Sequence, residues 1–451
     1  MKVLLVSANT LKEPYPVYPL GLDYVAGAIA DDHQVKIADM NTLADLDLLA
    51  GMIKDYSPDV IGLSLRNIDN TDTTDPRGFI GQYREIVAVI RNHSDAPLVL
   101  GGSGFTIFPE ETMAALDADY GIIGEGERLG LLLNAIKNRK DTGPLPGILT
   151  RRGKKDLPPP WSGKISRNIL PNPDNLEFYL QNGGMLNIQT KRGCHFKCIY
   201  CTYPHIEGRN LRLMDPGEVA AAAVKLQAGG AKYFFVTDSV FNADYSHSIA
   251  VAKAFKKSGV SIPWGAFFAP LKQPGDYFQI LADAGLTHVE FGTDSLSNAV
   301  LTSYRKPFRD RQVFEIHQAA IDAGLYVAHY FLLGGPGETP DTLKETLAGV
   351  GRLEKAALFF FCGMRIYPGT ALYDIAATEG QVKAGRSILE PVFYRSALID
   401  PQEIVGQVQK QARERINWVI GAGGQDTVRI ITEMYQRGYC GPMWEYLIRL
   451  S

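Results

Sequence analysis

Cysteine is scarce in this chain. Five are present among 451 residues, too few for a disulfide framework in a protein of this length. There is no run of eighteen apolar residues, so no segment reads as a membrane-spanning helix. The opening Met1-Lys2-Val3-Leu4-Leu5-Val6 is apolar but gives way at Ser7-Ala8-Asn9, too soon for a secretory signal. Net charge is also small, at −3, which argues against a partner such as nucleic acid that needs a broad basic surface. These absences lead us to expect a protein of the reducing cytoplasm. What is abundant is ordinary: 45% hydrophobic and 21% charged residues suit a globular core.

The cysteines are not scattered. Cys194, Cys198 and Cys201 stand at C-x3-C-x2-C spacing in a loop that begins Lys191-Arg192-Gly193. Thiolates so close on one loop converge on a soft metal centre. An iron–sulfur cube takes four cysteines, and the remaining two, Cys362 and Cys440, lie far downstream, where they read as buried reduced thiols. One iron is then open to a ligand that is not protein. The alternative is a zinc site with His195 or His205 as fourth ligand.

Around this loop the chain alternates strands and helices. In residues 1–140, strands are expected at 2–6, 35–38, 60–64, 98–100 and 120–123, with helices at 19–30, 43–54 and 83–91. That alternation implies a parallel, doubly wound Rossmann-like sheet, with ligands beyond the carboxyl ends of the strands. The loops there are 7–9, 64–70, 101–106 and 124–127. Gly102-Ser103-Gly104 lacks the third glycine of a dinucleotide fingerprint and is weak evidence alone. Residues 141–185 are proline-rich and read as a connector, with a small hairpin expected from 148–151 and Gly153-Lys154-Lys155. Residues 186–385 hold six strand–helix units, a partial (β/α)6 barrel whose function should lie at the C-terminal strand ends. Residues 386–451 are expected to be helical, with helices at 401–422 and 425–437. The turn Tyr439 to Trp444 then serves either to close the substrate side of the barrel or as a C-terminal staple.

The cysteine spacing, with Tyr200 just before the third cysteine, resembles the radical S-adenosylmethionine (SAM) superfamily. Val289-Glu290-Phe291-Gly292-Thr293-Asp294-Ser295 resembles its fourth-strand signature, with Asp294 where Glu is more usual. Leu333-Gly334-Gly335-Pro336-Gly337-Glu338-Thr339 looks like its G-x-P-G-E-T turn, and Arg365 to Thr370 is similar to the sixth-strand end of B12-dependent members. Tyr18-Pro19-Leu20-Gly21-Leu22, Gly101-Gly102-Ser103-Gly104 and Ile123-Gly124-Glu125-Gly126-Glu127 together resemble the cobalamin-binding domain that precedes the SAM domain in the B12-binding radical SAM proteins. One departure is notable. Asp31-Asp32-His33 begins a D-x-H-x-x-G cobalt-ligand motif, but Lys36 breaks it, so His33 reads as a turn residue.

The resemblance implies three cofactors: a [4Fe–4S] cluster on Cys194, Cys198 and Cys201, SAM, and cobalamin. It implies SAM contacts from Tyr200, Asp238, Asn242, Asp294, Gly335, Pro336, Gly337 and Glu338. It implies cobalamin contacts from Ser7, Asn9, Ser64, Arg66, Asn67, Gly101, Gly102, Ser103, Gly104, Phe105, Gly124, Glu125 and Gly126, with Arg66 or Asn67 toward cobalt. Substrate-side groups are Tyr203, His205, His329, Tyr330 and Arg365, His329 having a core-histidine reading as well. The implied activity is a class B C-methyltransferase, moving a methyl group from SAM through methylcobalamin to an unactivated carbon of a protein, peptide or small molecule. Methylation of a glutamine in methyl-coenzyme M reductase is one family activity, though nothing in this chain derives it. The alternatives are a B12-dependent rearrangement or cyclisation enzyme in lipid, tetrapyrrole or natural-product biosynthesis, and a non-catalytic cobalamin or cluster sensor. A ferredoxin or flavodoxin would supply electrons.

Overall fold

The structure is a computed structural model, and it describes residues 1–449 other than 14, 74, 152, 154–155, 169–172, 384, 414 and 422–423. Two parallel sheets organise it. The first orders its strands Gln34–Asp39, Lys2–Ser7, Val60–Ser64, Leu98–Gly101, Tyr120–Ile122, Ile148–Thr150. Val3, Leu4, Leu5 and Val6 are all buried, as a central parallel strand covered on both faces requires. Leu20–Ile29 and Leu129–Lys137 pack on one face, and Leu46–Tyr56 and Ile80–His93 on the other. This is the doubly wound arrangement expected. His33 sits in the turn before Gln34–Asp39, at the end of the sheet opposite the ligand edge.

The second sheet is a seven-stranded open barrel, in the order Trp418–Ile420, Ala356–Cys362, Tyr326–Leu333, Leu286–Asp294, Trp264–Phe268, Tyr233–Val236, Met185–Ile188. Side chains alternate along each strand. Phe234, Val236, Trp264, Phe291 and Phe360 point to the helix layer and build the largest core. Their neighbours Phe235, Phe267, Glu290, Tyr330 and Phe359 therefore face the barrel lumen.

Two strands depart from expectation. Ile148–Thr150 pairs antiparallel with Tyr120–Ile122 and so ends the first sheet, rather than forming a hairpin inside a connector. Lys154 and Lys155 of the expected hairpin lie outside the described residues. Trp418–Ile420 pairs with Ala356–Cys362, so the tail is not wholly helical: the helix Pro401–Ala412 ends early and a seventh barrel strand follows. The connector also carries a helix, Pro173–Gln181.

Buried ion pairs join the two units. Arg167 pairs with Asp23 at 2.9 Å, Arg365 with Asp69 at 2.8 Å, and both Arg192 and Arg212 reach Glu125 at 2.8 Å. Tyr179 donates to Asp39 at 2.6 Å. The C-terminal edge of the first sheet thereby faces the C-terminal mouth of the barrel.

His329 is fully buried on the helix side of its strand. It bonds Thr293 Oγ1 at 2.7 Å and His317 Nδ1 at 3.1 Å, and stacks on Phe291. That corrects the substrate-side expectation: this is the core histidine. Burial pulls His317 down from 6.5 to about 4. The unfolded chain binds its proton near 6.5 and the folded chain only near 4. The neutral ring's contribution is thus fully present above 6.5 and lost as pH falls toward 4. Denaturant midpoints measured from pH 7 to 4 should fall more steeply for the wild type than for His317→Gln.

Candidate cofactor and substrate site

The cysteine loop leaves the barrel through the short strand Lys191–Arg192. Asp238, at the end of the neighbouring strand, shapes this exit. Its carboxylate accepts from Thr190 N at 2.7 Å, Thr190 Oγ1 at 2.6 Å and Lys191 Nζ at 2.7 Å, all buried. Gly193 follows at φ +90°, where a side chain would strike the Asn210 carbonyl, and its N–H donates to Glu207 at 3.1 Å. Cys194 N–H donates to Gly208 O, and Ile199 N–H to Tyr304 O.

The three thiols feel one another electrostatically, and burial lifts Cys198 and carries Cys201 to about 12. Such thiols stay protonated unless a metal takes the proton's place. A zinc site on this loop would take its fourth ligand from a nearby histidine. A cubane spreads its cysteines over separate irons and suits this donor set. His195 packs instead on Phe196, ring centroids 4.4 Å apart, and His205 lies against Gly369.

Beside the thiols is a polar cluster. Tyr200 O–H donates to Asp294 Oδ2 at 2.6 Å, and Lys306 Nζ reaches the same oxygen at 2.9 Å. Asp294 holds φ +62°, next to a register shift in its strand. Such a conformation costs a non-glycine residue of order 1–3 kcal/mol and persists where neighbours over-determine it. Burial acts to lower Lys306, but Asp294 and Cys198 outweigh it, so its ammonium is held above the usual range. Lys306 was not foreseen. Its signal is a contact across the fold, and the local string Tyr304-Arg305-Lys306-Pro307 gives none.

Other expected SAM contacts have their polar atoms committed. Asp238 is the clamp just described. Asn242 exchanges two 2.9 Å bonds with the Ala269 backbone. Glu338 is fully buried, accepting from Thr342 Oγ1 at 2.9 Å and from Gly334 N–H at 3.4 Å, so its carboxylate fixes its own turn. Gly335, Pro336 and Gly337 form that turn, tied down by Tyr304 O–H accepting from Gly335 N–H at 2.9 Å and by Ser303 donating to Pro336 O at 2.6 Å. Arg365 is also committed. It pairs with Asp69 and donates to the carbonyls of Ile366 and Ile388, so it binds the units together and is not a substrate group.

Above the cysteine loop lies a cavity of about 550 Å³, beyond the C-terminal ends of the first sheet. Ser7, Asn9, Ser64, Arg66, Asn67, Gly101, Gly102, Ser103, Gly124, Glu125 and Gly126 all line it, and so does Tyr203 from the cysteine loop. Gly104 and Phe105 do not. Phe105 is fully buried beneath Gly121, because its strand-end helix turns it into the core. Glu125 lines the cavity but is engaged by Arg192 and Arg212.

Three features fit a corrin. Gly102 at φ +99° and Gly124 at φ +79° keep the wall free of side chains, and a Cβ on Gly102 would stand 2.6 Å from the Leu65 carbonyl. Asn9 Nδ2, buried in the wall, has no partner among the described residues and faces a site for an amide-bearing ligand. Arg66 is surrounded by protein on most sides, which lowers its pKa, yet its side chain is solvent-accessible. What it is accessible to is the cavity, which it also lines.

Comparisons with known proteins agree with this architecture. The B12 binding domain model matches residues 6–131, and the radical SAM superfamily model matches residues 188–348. Tryptophan 2-C-methyltransferase of Streptomyces laurentii is 23% identical, over 84% of this chain and 74% of its own. Cytidylyl-2-hydroxyethylphosphonate methyltransferase of Streptomyces wedmorensis is 24% identical, over 88% and 86%. In fold, the chain resembles the radical SAM methyltransferase TsrM from Kitasatospora setae, solved with tryptophan and a SAM analogue. That likeness has a TM-score of 0.86 at 22% identity, covering 99% of this chain and 97% of that one. Two matched domains, in this order and facing one another across one cavity, show that the chain belongs to the B12-binding radical SAM proteins, with a [4Fe–4S] cluster, SAM and cobalamin as its cofactors.

Proposed function

We propose that this protein is a cobalamin-dependent radical SAM C-methyltransferase acting on an unactivated carbon. The observation that carries the reading is the continuity of the site. The 550 Å³ cavity at the first sheet's edge is also lined by Thr202 and Tyr203, the residues directly after Cys201. The proposed corrin site thus borders the cysteine loop itself, the placement that direct methyl transfer requires. The relatives named above are methyltransferases over most of their length.

When bound, the cluster, SAM and cobalamin supply the reducing and methyl-carrying chemistry, and the protein supplies placement. Cys194, Cys198 and Cys201 hold the cluster. Lys306 and Tyr200 fix the Asp294 carboxylate beside it, presenting a fixed acceptor to the polar groups of SAM. Gly335 to Gly337 bring backbone close to the same ligand. Asn9, Ser64, Arg66, Asn67 and Ser103 offer donors and acceptors to corrin side chains around the two side-chain-free glycines. Tyr203, whose O–H reaches the Thr237 carbonyl at 3.5 Å, lines the same space. The cluster needs a one-electron donor of the ferredoxin or flavodoxin class and a reducing compartment such as the cytoplasm. No helix among the described residues is long and apolar enough to cross a membrane.

The test is product analysis on protein reconstituted with iron, sulfide and hydroxocobalamin, given SAM and a strong one-electron reductant. S-adenosylhomocysteine that appears only when cobalamin is present supports methyl transfer. With the accepted substrate supplied, 5′-deoxyadenosine alone would place the protein with the rearrangement enzymes.

A further inference from the structure

Glu290 lies in the barrel lumen, below the shared cavity, and nothing above gives it a role. It is 5% exposed. Trp444 Nε1–H donates to Oε1 at 2.9 Å and Tyr330 O–H donates to Oε2 at 2.9 Å. Unlike the buried carboxylates of Asp238, Asp69 and Asp294, it has no cation: among the described residues no Lys, Arg or His forms an ion pair with it. Burial without a counter-charge lifts its carboxyl to about 7. A charge site short of its partner behaves this way.

The space next to it is open. Gly292 is the following lumen-facing residue on the same strand, and a Cβ there would meet no atom within 4 Å. Phe267, facing the lumen one strand away, is 41% exposed although it sits mid-strand in a barrel. Its edge meets Phe235, with centroids 4.8 Å apart. On the strand to the other side, Tyr330 lies opposite Gly292 and stacks on Phe359 at 4.9 Å. Trp444 and the helix Glu445–Arg449 close the floor against Ala328 and Ala357. The result is open space at Gly292 with Phe267 and Tyr330 to either side, a carboxylate next to it, and Tyr15 packed near by on Phe235 and Tyr233. Aromatic faces hold both flat rings and cations, and the carboxylate adds an acceptor for a protonated nitrogen.

We infer that the lumen is the substrate pocket and that it takes an aromatic amine, with the ring between Phe267 and Tyr330 and the ammonium on Glu290. This deepens the methyltransferase reading and rests on it for the pocket's purpose.

The test uses three indole probes of one shape and different charge: tryptamine, indole and indole-3-propionate. Their binding to cofactor-loaded protein is measured by calorimetry. Tryptamine is expected to bind at least about tenfold more tightly than indole-3-propionate. Glu290→Gln keeps an acceptor for Trp444 and a partner for Tyr330, so it should keep the wild-type melting temperature and cobalamin content while losing that preference. Phe267→Ala should weaken all three probes together. Equal binding of tryptamine and indole-3-propionate, an undiminished preference in Glu290→Gln, or no binding of any probe overturns the inference. Should Glu290→Gln fail to fold, the wild-type ranking and Phe267→Ala decide. A wild type that forms S-adenosylhomocysteine but binds no probe overturns the pocket alone. One that binds tryptamine but never forms S-adenosylhomocysteine overturns the methyltransferase reading alone.

Discussion

Asp238→Ala should lower the stability of the barrel by on the order of 3–5 kcal/mol, the usual cost of stripping one partner from a buried ion pair. The carboxylate it removes is fully buried, and Lys191, at 1% exposure, has no other ion pair among the described residues: its other side-chain bond there is to the Phe241 carbonyl at 3.0 Å. Two bonds to Thr190 are lost as well. Because Lys191–Arg192 feeds directly into the cysteine loop, cluster content should fall with stability. Chemical denaturation followed by far-UV circular dichroism gives the first quantity, and iron and sulfide analysis gives the second. The double variant Asp238→Ala/Lys191→Met removes the stranded ammonium too, and should regain much of the loss. If the single variant denatures at the wild-type concentration, Asp238 does not clamp the exit of that strand and is returned to the SAM contacts.

Cys201→Ser should abolish the cluster. Burial already holds the Cys201 thiol at about 12, so even sulfur gives up its proton only to iron. A serine hydroxyl is a far weaker acid in the same buried place and is the wrong partner for a soft metal. Reconstituted Cys201→Ser should lack the broad charge-transfer absorbance of an iron–sulfur protein. It should still bind cobalamin, since the corrin wall belongs mainly to the first sheet. Cys362→Ser is the control. Cys362 packs in the helix-layer core, away from the loop, and its replacement should leave the absorbance intact. Full cluster content in Cys201→Ser would remove that residue from the ligand set.

Both variants probe residues named from sequence, and they show where such reading holds. Apolar runs bounded by turn residues marked the central strands, and the expected strand at 60–64 is Val60–Ser64 to the residue. The cysteine loop and the glycine-rich strand ends were legible because each needs a particular residue type: a thiolate, or a backbone without a side chain. Trp418–Ile420 was missed, and Ile148–Thr150 was given a hairpin partner in place of Tyr120–Ile122, because each is three residues long and takes its pairing from the sheet edge it joins. Asp238 and Asn242 show a different limit. A polar residue at a strand end suits a ligand contact and a loop clamp equally, and here the partners were Lys191 and the Ala269 backbone. Lys306 and Glu290 were beyond reach for a related reason. Each acquires its meaning from residues distant in the chain, Lys306 from Tyr200 and Glu290 from Trp444.

The central claim is that the corrin and the cluster share one space. Electron paramagnetic resonance of protein carrying both cob(II)alamin and the reduced cluster tests it most directly. If the space is shared, the two spins lie close enough to interact, and the doubly loaded spectrum will show splitting or fast relaxation absent from either singly loaded form. A doubly loaded spectrum equal to the sum of the two separate ones would place the cofactors in separate sites and contradict the account.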